Sequence, residues 1–217
     1  MVTRDIPILY TSTGIGEVIA TDISEDEYME KYAAYFCEWI NGVVIRMTPV
    51  HIDHDRIDRY LAMLLEAYLT LKPIGSVVQA PFVMRTEPGK SRREPDIQVI
   101  LGDNQKNMTH TMMDGAADIV IEIVSPESEK RDYGEKFHEY EAGGVQEYWI
   151  IDPHQKQARF YRLEDGVYIF QKPDSNQIYQ TPVLPELRVE VDKFWQRPLP
   201  DFFAIGDSVR AMLNESK

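Results

Sequence analysis

The segment ADIVIEIVSPESEKRDYGEKFHEYEAGGVQEYWIID places a carboxylate where a folded chain has little freedom. Asp118 to Val124 is a β-branched run stopped by Ser125-Pro126, so it predicts a strand with Glu122 set among apolar neighbours. An acid there needs a partner. Either a structural cation such as an arginine supplies it, or a metal ion does and makes Glu122 part of an active site.

The residues after this run limit the architecture. Asp132 to Ala142 predicts a helix stopped by Gly143-Gly144, and QEYWIID predicts a strand closed by Pro153, giving the order strand, helix, strand. Upstream, Ser24-Glu25-Asp26-Glu27 is a capping-box pattern that predicts a first helix from about Glu25 to Tyr35. CEWINGVVIRMTPV, Cys37 to Val50, reads as two strands around Asn41-Gly42, a strong two-residue hairpin signal. Ile57, Leu61, Leu64, Leu65 and Tyr68 recur at the spacing of a core-facing stripe, predicting a second helix from about His54 to Leu71. Strands are predicted at Ser76–Ala80, Phe82–Arg85 and Asp96–Leu101, a hairpin around Glu164-Asp165-Gly166, and a short strand in VLPELRVEVDKFW. The sum is an α/β fold, a mixed sheet flanked by helices with additional β-hairpins, whose β-rich C-terminal part shares the same core.

Of the 217 residues 43% are hydrophobic, and no apolar run reaches membrane-spanning length, so one domain over residues 1–217 is expected. The N-terminus lacks the basic-then-apolar order of a secretory signal, and Cys37 is the only cysteine, which points to a reducing, cytoplasmic setting and excludes an internal disulfide. The 23 lysines and arginines face 36 acids, a net charge of −13 that repels a phosphate backbone and counts against a general DNA binder. Lys90, Arg92 and Arg93, just before Pro95-Asp96, either solvate a loop or form a local basic patch.

Two predicted strands carry an acid each, Asp96 at the head of PDIQVI and Glu122 inside IVIEIV. If the strands are neighbours, the carboxylates meet at one end of the sheet and require a cation between them. Mg²⁺ suits two carboxylates with waters and a main-chain carbonyl, here that of Ile123, and such a site supports phosphodiester hydrolysis. A lysine two residues after the second acid would complete a nuclease motif, but that position is Val124. Asp132, Lys136 and Tyr140 share one face of the third helix, and Lys136 on its long stem is the candidate replacement. The competing reading is a surface pair of Lys136 with Asp132, worth about 0.3–0.5 kcal/mol.

These segments resemble the Uma two family, whose fold is that of restriction endonucleases of the PD-(D/E)XK type. The resemblance spans roughly Ser24 to Phe194, a core of about 24–194, through EWINGVVIRMTPVHIDHDRI, APFVMR, EPDIQVI and above all the long segment from Ala117 to Asp152. It implies that Glu38 is the N-terminal acid of the site, Asp96 the metal-binding aspartate, Glu122 the second acid and Lys136 a migrated lysine. His54 matches a histidine at the start of the second helix, which caps that helix or approaches the site. The implied activity is Mg²⁺- or Mn²⁺-dependent hydrolysis of DNA; a homodimer is a separate option, raised for a fold that serves protein association. The competing function is a nuclease-like fold without turnover, serving as a binding or regulatory module, in which Glu122 pairs with an arginine such as Arg93.

Overall fold

The computed structural model describes residues 17–46, 51–86 and 91–215. In chain order these form β1 (Glu17–Ala20), α1 (Glu25–Lys31), β2 (Cys37–Ile40), β3 (Val43–Arg46), α2 (Ile52–Leu71), β4 (Gly75–Gln79), β5 (Val83–Arg85), β6 (Ser91–Arg92), β7 (Ile97–Leu101), β8 (Met112–Asp114) and β9 (Ile119–Ile123). A π-helical turn (Arg131–Glu135) then runs into α3 (Lys136–Gly143), followed by β10 (Glu147–Asp152), β11 (Gln157–Glu164), β12 (Val167–Gln171), β13 (Ile178–Gln180), β14 (Arg188–Glu190) and α4 (Phe202–Asn214).

The central sheet has six strands in the order β12-β11-β10-β9-β7-β4. β9 and β10 are parallel, with α3 in the crossover between them, while the other pairs are antiparallel, so the sheet is mixed. Both parallel strands are buried along their whole length, which is why IVIEI and EYWIID lack the alternation of a half-wet strand.

The two faces of β9 sort its residues. Ile119, Ile121 and Ile123 pack with the α2 stripe of Ile57, Leu61, Leu64, Leu65 and Tyr68, whereas Val120 and Val124 pack with Tyr140 and Tyr148 on the α3 side. By period two, Glu122 faces α3. Register places Ile121 opposite Ile97 of β7 and Glu122 opposite Ile150 of β10. Asp96, one residue before β7, therefore sits beside the acid-bearing end of β9.

Several expectations are corrected. The first helix ends at Lys31, because Tyr32 leaves helical geometry and a 3-10 turn at Ala33–Tyr35 succeeds it. The Asn41-Gly42 hairpin forms with both residues at positive φ, although Met47 to Val50 lie outside the described residues. The second helix begins at Ile52, so His54 lies within its first turn and does not cap it. Arg92 and Arg93 are neither solvated nor part of an exposed basic patch: both are buried, on carboxylates that the linear sequence keeps far away, and Lys90 lies outside the described residues. Unforeseen were β1, β6, β8, β13 and α4; the last drives Ile205 and Val209 into the main cluster, carrying the core past Phe194.

Candidate active site

The acids meet where β7 and β9 lie side by side. Asp96 Oδ2 accepts the Ile123 N–H at 2.7 Å and lies 3.0 Å from His54 Nε2, so the first turn of α2 and the end of β9 grip the same oxygen. Ile123 thus presents its amide to Asp96, next to the carbonyl expected to serve an ion.

Glu122 is buried, and its partner is not an arginine. Lys136 Nζ is 2.9 Å from Glu122 Oε1, and the Tyr140 hydroxyl donates to the same oxygen at 2.8 Å. Lys136 also lies 3.2 Å from Asp132 and 3.8 Å from Glu38. The surface-pair reading of Asp132 and Lys136 is therefore overturned, since both are buried. Sharing one helix face brings Asp132, Lys136 and Tyr140 over Glu122 as the spacing suggests. The π-helical turn carries Asp132 there, and the Tyr148 hydroxyl donates to the Asp132 carbonyl at 3.0 Å.

Glu38, on β2, gathers three cations. Arg93 lies 3.0 Å and Arg131 3.5 Å from its Oε2, with Lys136 on Oε1. Arg93 also binds Glu135 and Glu139, so it is the clamp between β2 and the π turn with α3 and is not the partner of Glu122. Burial would raise the Glu38 pKa, but Lys136, Arg93 and Arg131 outweigh it and hold the group at about 2.

Glu122 behaves in the opposite way. Burial, with Asp96 and Asp132 nearby, outweighs Lys136 and lifts it to about 8. Burial likewise raises Asp132 against the pull of Lys136 and Ser128. Burial opposes the charge on Lys136, yet Glu122, Asp132 and Glu38 push its pKa well up. Burial pulls His54 down, and Asp96 more than reverses it. The lysine stays charged while the carboxylates around it exceed what it neutralises.

Sequence reasoning missed Asp58, one turn beyond His54 on α2. Burial and Asp96 raise it to about 7, its Oδ2 accepts Gln79 at 2.7 Å, and its buried Oδ1 has no hydrogen-bond partner. The i, i+4 spacing of His54 and Asp58 was the available signal. Glu94 was also missed: burial and Glu38 raise it to about 8.

Among the described residues, no three His, Cys, Asp or Glu side chains already converge on one point as an ion cage. If an ion binds beside Asp96 and Glu122, these carboxylates and the Ile123 carbonyl would offer it oxygen alone, which suits a hard divalent cation that keeps much of its hydration. The surplus of buried carboxylates fits that ion as well.

No curated protein matches the chain. Among solved structures it resembles one titled as a putative nuclease belonging to DUF820 from Anabaena variabilis, with a TM-score of 0.68, 18% identity, and coverage of 80% of this chain and 97% of that one. That likeness establishes the mixed-sheet fold. The Uma2 profile, described as "Putative restriction endonuclease", matches residues 23–192. The chain belongs to the Uma2 family.

Proposed function

We propose that this protein is an endodeoxyribonuclease that uses Mg²⁺ or Mn²⁺, acting as a single domain in the cytoplasm, with a homodimer as an option. Family membership supports a nuclease; the observation that supports this finer reading is the Asp96–Glu122 pair, with Asp96 fixed by Ile123 and His54, and Lys136 poised on Glu122. A divalent ion held by Asp96, Glu122 and the Ile123 carbonyl would supply an activated water and neutralise phosphate charge.

The chain's own groups do the rest. Asp96 is oriented through Oδ2, held by His54 and the Ile123 amide, and would present its carboxylate to the ion in a fixed position. Lys136 stays an ammonium and stabilises charge that develops on the scissile phosphate. Glu38 acts through Lys136, since its oxygens already face cations. Purified protein with plasmid and single-stranded DNA in Mn²⁺ should cut, and Asp96→Ala should not; equal traces of cutting in both would mean contamination and end this reading.

One observation favours a binding or regulatory module instead. Lys136 is already engaged by three carboxylates on a chain of net charge −13. Calorimetric titration separates the two, because Mn²⁺ binding that disappears in Glu122→Ala belongs to a working site, and no binding at millimolar metal belongs to the module.

A further inference from the structure

α2 carries two stripes. Ile57, Leu61, Leu64, Leu65 and Tyr68 enter the core, while Met63, Ala67 and Leu71 line, with Gly206 of α4, a groove of about 530 Å³ between the two helices. Phe202 and Phe203, at the start of α4, also line it and are 64% and 78% exposed. Asp201 caps α4 by accepting the Ala204 N–H at 2.9 Å, so both rings stand on an ordered turn. A fixed apolar knob and an apolar hollow therefore share one face of the molecule.

The helices run side by side in the same direction. Arg197, 2.8 Å from Asp53, ties the approach to α4 to the first turn of α2, and Leu71 and Leu213, near the far ends of the two helices, line a second hollow. The aromatic knob thus stands at one end of the groove and Leu71, 47% exposed, at the other. A half-turn about an axis through the middle of the groove brings the rings of each of two copies over the Leu71 end of the other. Such an exchange uses the same patch on both copies and closes at two.

Charge selects the occupant. Arg59 and Arg210 line the groove with Glu66 and Asp207, so its charges cancel on a chain of net charge −13. A cationic partner would be drawn to the acidic surface and a phosphate strand to a basic one, whereas a neutral face is where two copies of an acidic chain approach with least repulsion. A second exposed apolar group, Val167, Ile169 and Phe170 on the edge strand β12, lacks this arrangement. Glu141 accepts the Tyr168 N–H there at 2.6 Å, which guards the edge against an added strand.

We infer that the α2–α4 groove is the interface of a symmetric homodimer, in which Phe202 and Phe203 of each copy enter the hollow of the other. A phenylalanine ring buries about 150–250 Å² when covered, so the two rings withhold a few hundred Å² per copy, below the roughly 800 Å² per partner of a standard interface. The dimer is accordingly weak, forming at micromolar concentration. Glu122 faces α3 on the other side of the sheet, so association through this groove does not cover it. The assembly stands apart from the nuclease reading, because copies can pair without cutting and cut without pairing.

The test is sedimentation equilibrium of the full chain in EDTA, from low to high micromolar loading. The parent mass should rise from one chain to two. Phe202→Ala with Phe203→Ala should weaken pairing about tenfold or more, as when aromatic anchors are lost. Gly206→Glu should abolish it with Tm at or above the parent's, because a Cβ at Gly206 meets nothing within 4 Å in its own chain and glutamate is the better helix former. Phe170→Ala, which trims an exposed ring elsewhere, should pair as the parent does, and so should Asp96→Ala, so that a failed interface and a failed active site give different results. A parent that stays monomeric throughout overturns the interface. So does a dimer that survives both groove variants, pairing that Phe170→Ala weakens as much, or a mass increase seen only when an oligonucleotide is added.

Discussion

Lys136 Nζ lies 2.9 Å from Glu122 Oε1, with both side chains about 3% exposed. The charge comes from a helix packed over the sheet and not from the strand end, where Val124, just past β9, stands at the position two residues beyond the acid. A long stem lying on apolar surface lets a residue from the next layer put its ammonium at a strand end. The same geometry makes the site sensitive to each of its charges in a different way.

Glu122→Gln separates the acid's two roles. Its folded-state pKa of about 8 stands above the ordinary 4.5, so ionising it in the folded protein disfavours folding from about pH 4.5 upward, with the full effect reached above pH 8. The substitution removes that cost, on the order of a few kcal/mol, and leaves Lys136 with Asp132 and Glu38. In EDTA at pH 8.5 the variant should melt at or above the parent, the advantage should vanish near pH 4.5, and the Mn²⁺-induced rise in Tm should be lost. A lower Tm in EDTA at pH 8.5 would show that the pair with Lys136 dominates.

Lys136→Ala should act on chemistry and stability but spare the ion. Turnover should fall about 10²–10³-fold, as when one preorganised charge stabiliser is lost. Metal-free stability should fall by about 3–5 kcal/mol, because Glu122 and Asp132 lose their buried partner. Mn²⁺ affinity should hold or rise. Exposed Lys130 is the control, and Lys130→Ala should match the parent in melting and rate. Parental cutting by Lys136→Ala would discard the migrated-lysine assignment.

Glu38→Gln tests whether that acid holds the ion or the lysine. With Lys136, Arg93 and Arg131 around it, the variant should lose stability equally in EDTA and in Mn²⁺, with metal affinity within a few-fold of the parent. Its pKa is depressed to about 2, so the stability it contributes is present above about pH 4.5 and is lost as pH falls toward 2. The variant should lack that acid-unfolding step. Calorimetry showing abolished Mn²⁺ binding would make Glu38 a ligand.

His54→Ala should loosen Asp96 without unfolding the chain, since Ile123 still donates to Asp96 Oδ2. Groups that orient a metal ligand are typically worth about 10–100-fold in affinity, and that fall in Mn²⁺ binding is expected with Tm in EDTA nearly unchanged. Unaltered binding would show that the Ile123 amide alone positions Asp96.

The strand carrying Glu122, the α2 stripe, the hairpin at Asn41-Gly42 and the shared helix face of Asp132, Lys136 and Tyr140 were legible in the sequence. Each depends on the local repeat of a strand or helix, or on a turn that only certain residues accept. The likeness of EPDIQVI and the Ala117 to Asp152 segment to a nuclease family was legible too, because it rests on the order of residue types along the chain.

What only the tertiary structure decided is which charges meet. Arg93 and Glu38 are 55 positions apart and Asp96 and Ile123 are 27 apart, and no periodicity links either pair. Arg92 and Arg93 look like solvated cations when read along the chain, yet they are buried because folding brings carboxylates of α1, β2 and α3 onto them. Coulomb energy depends on distance and on burial, and both are set by packing between layers rather than by neighbours in sequence.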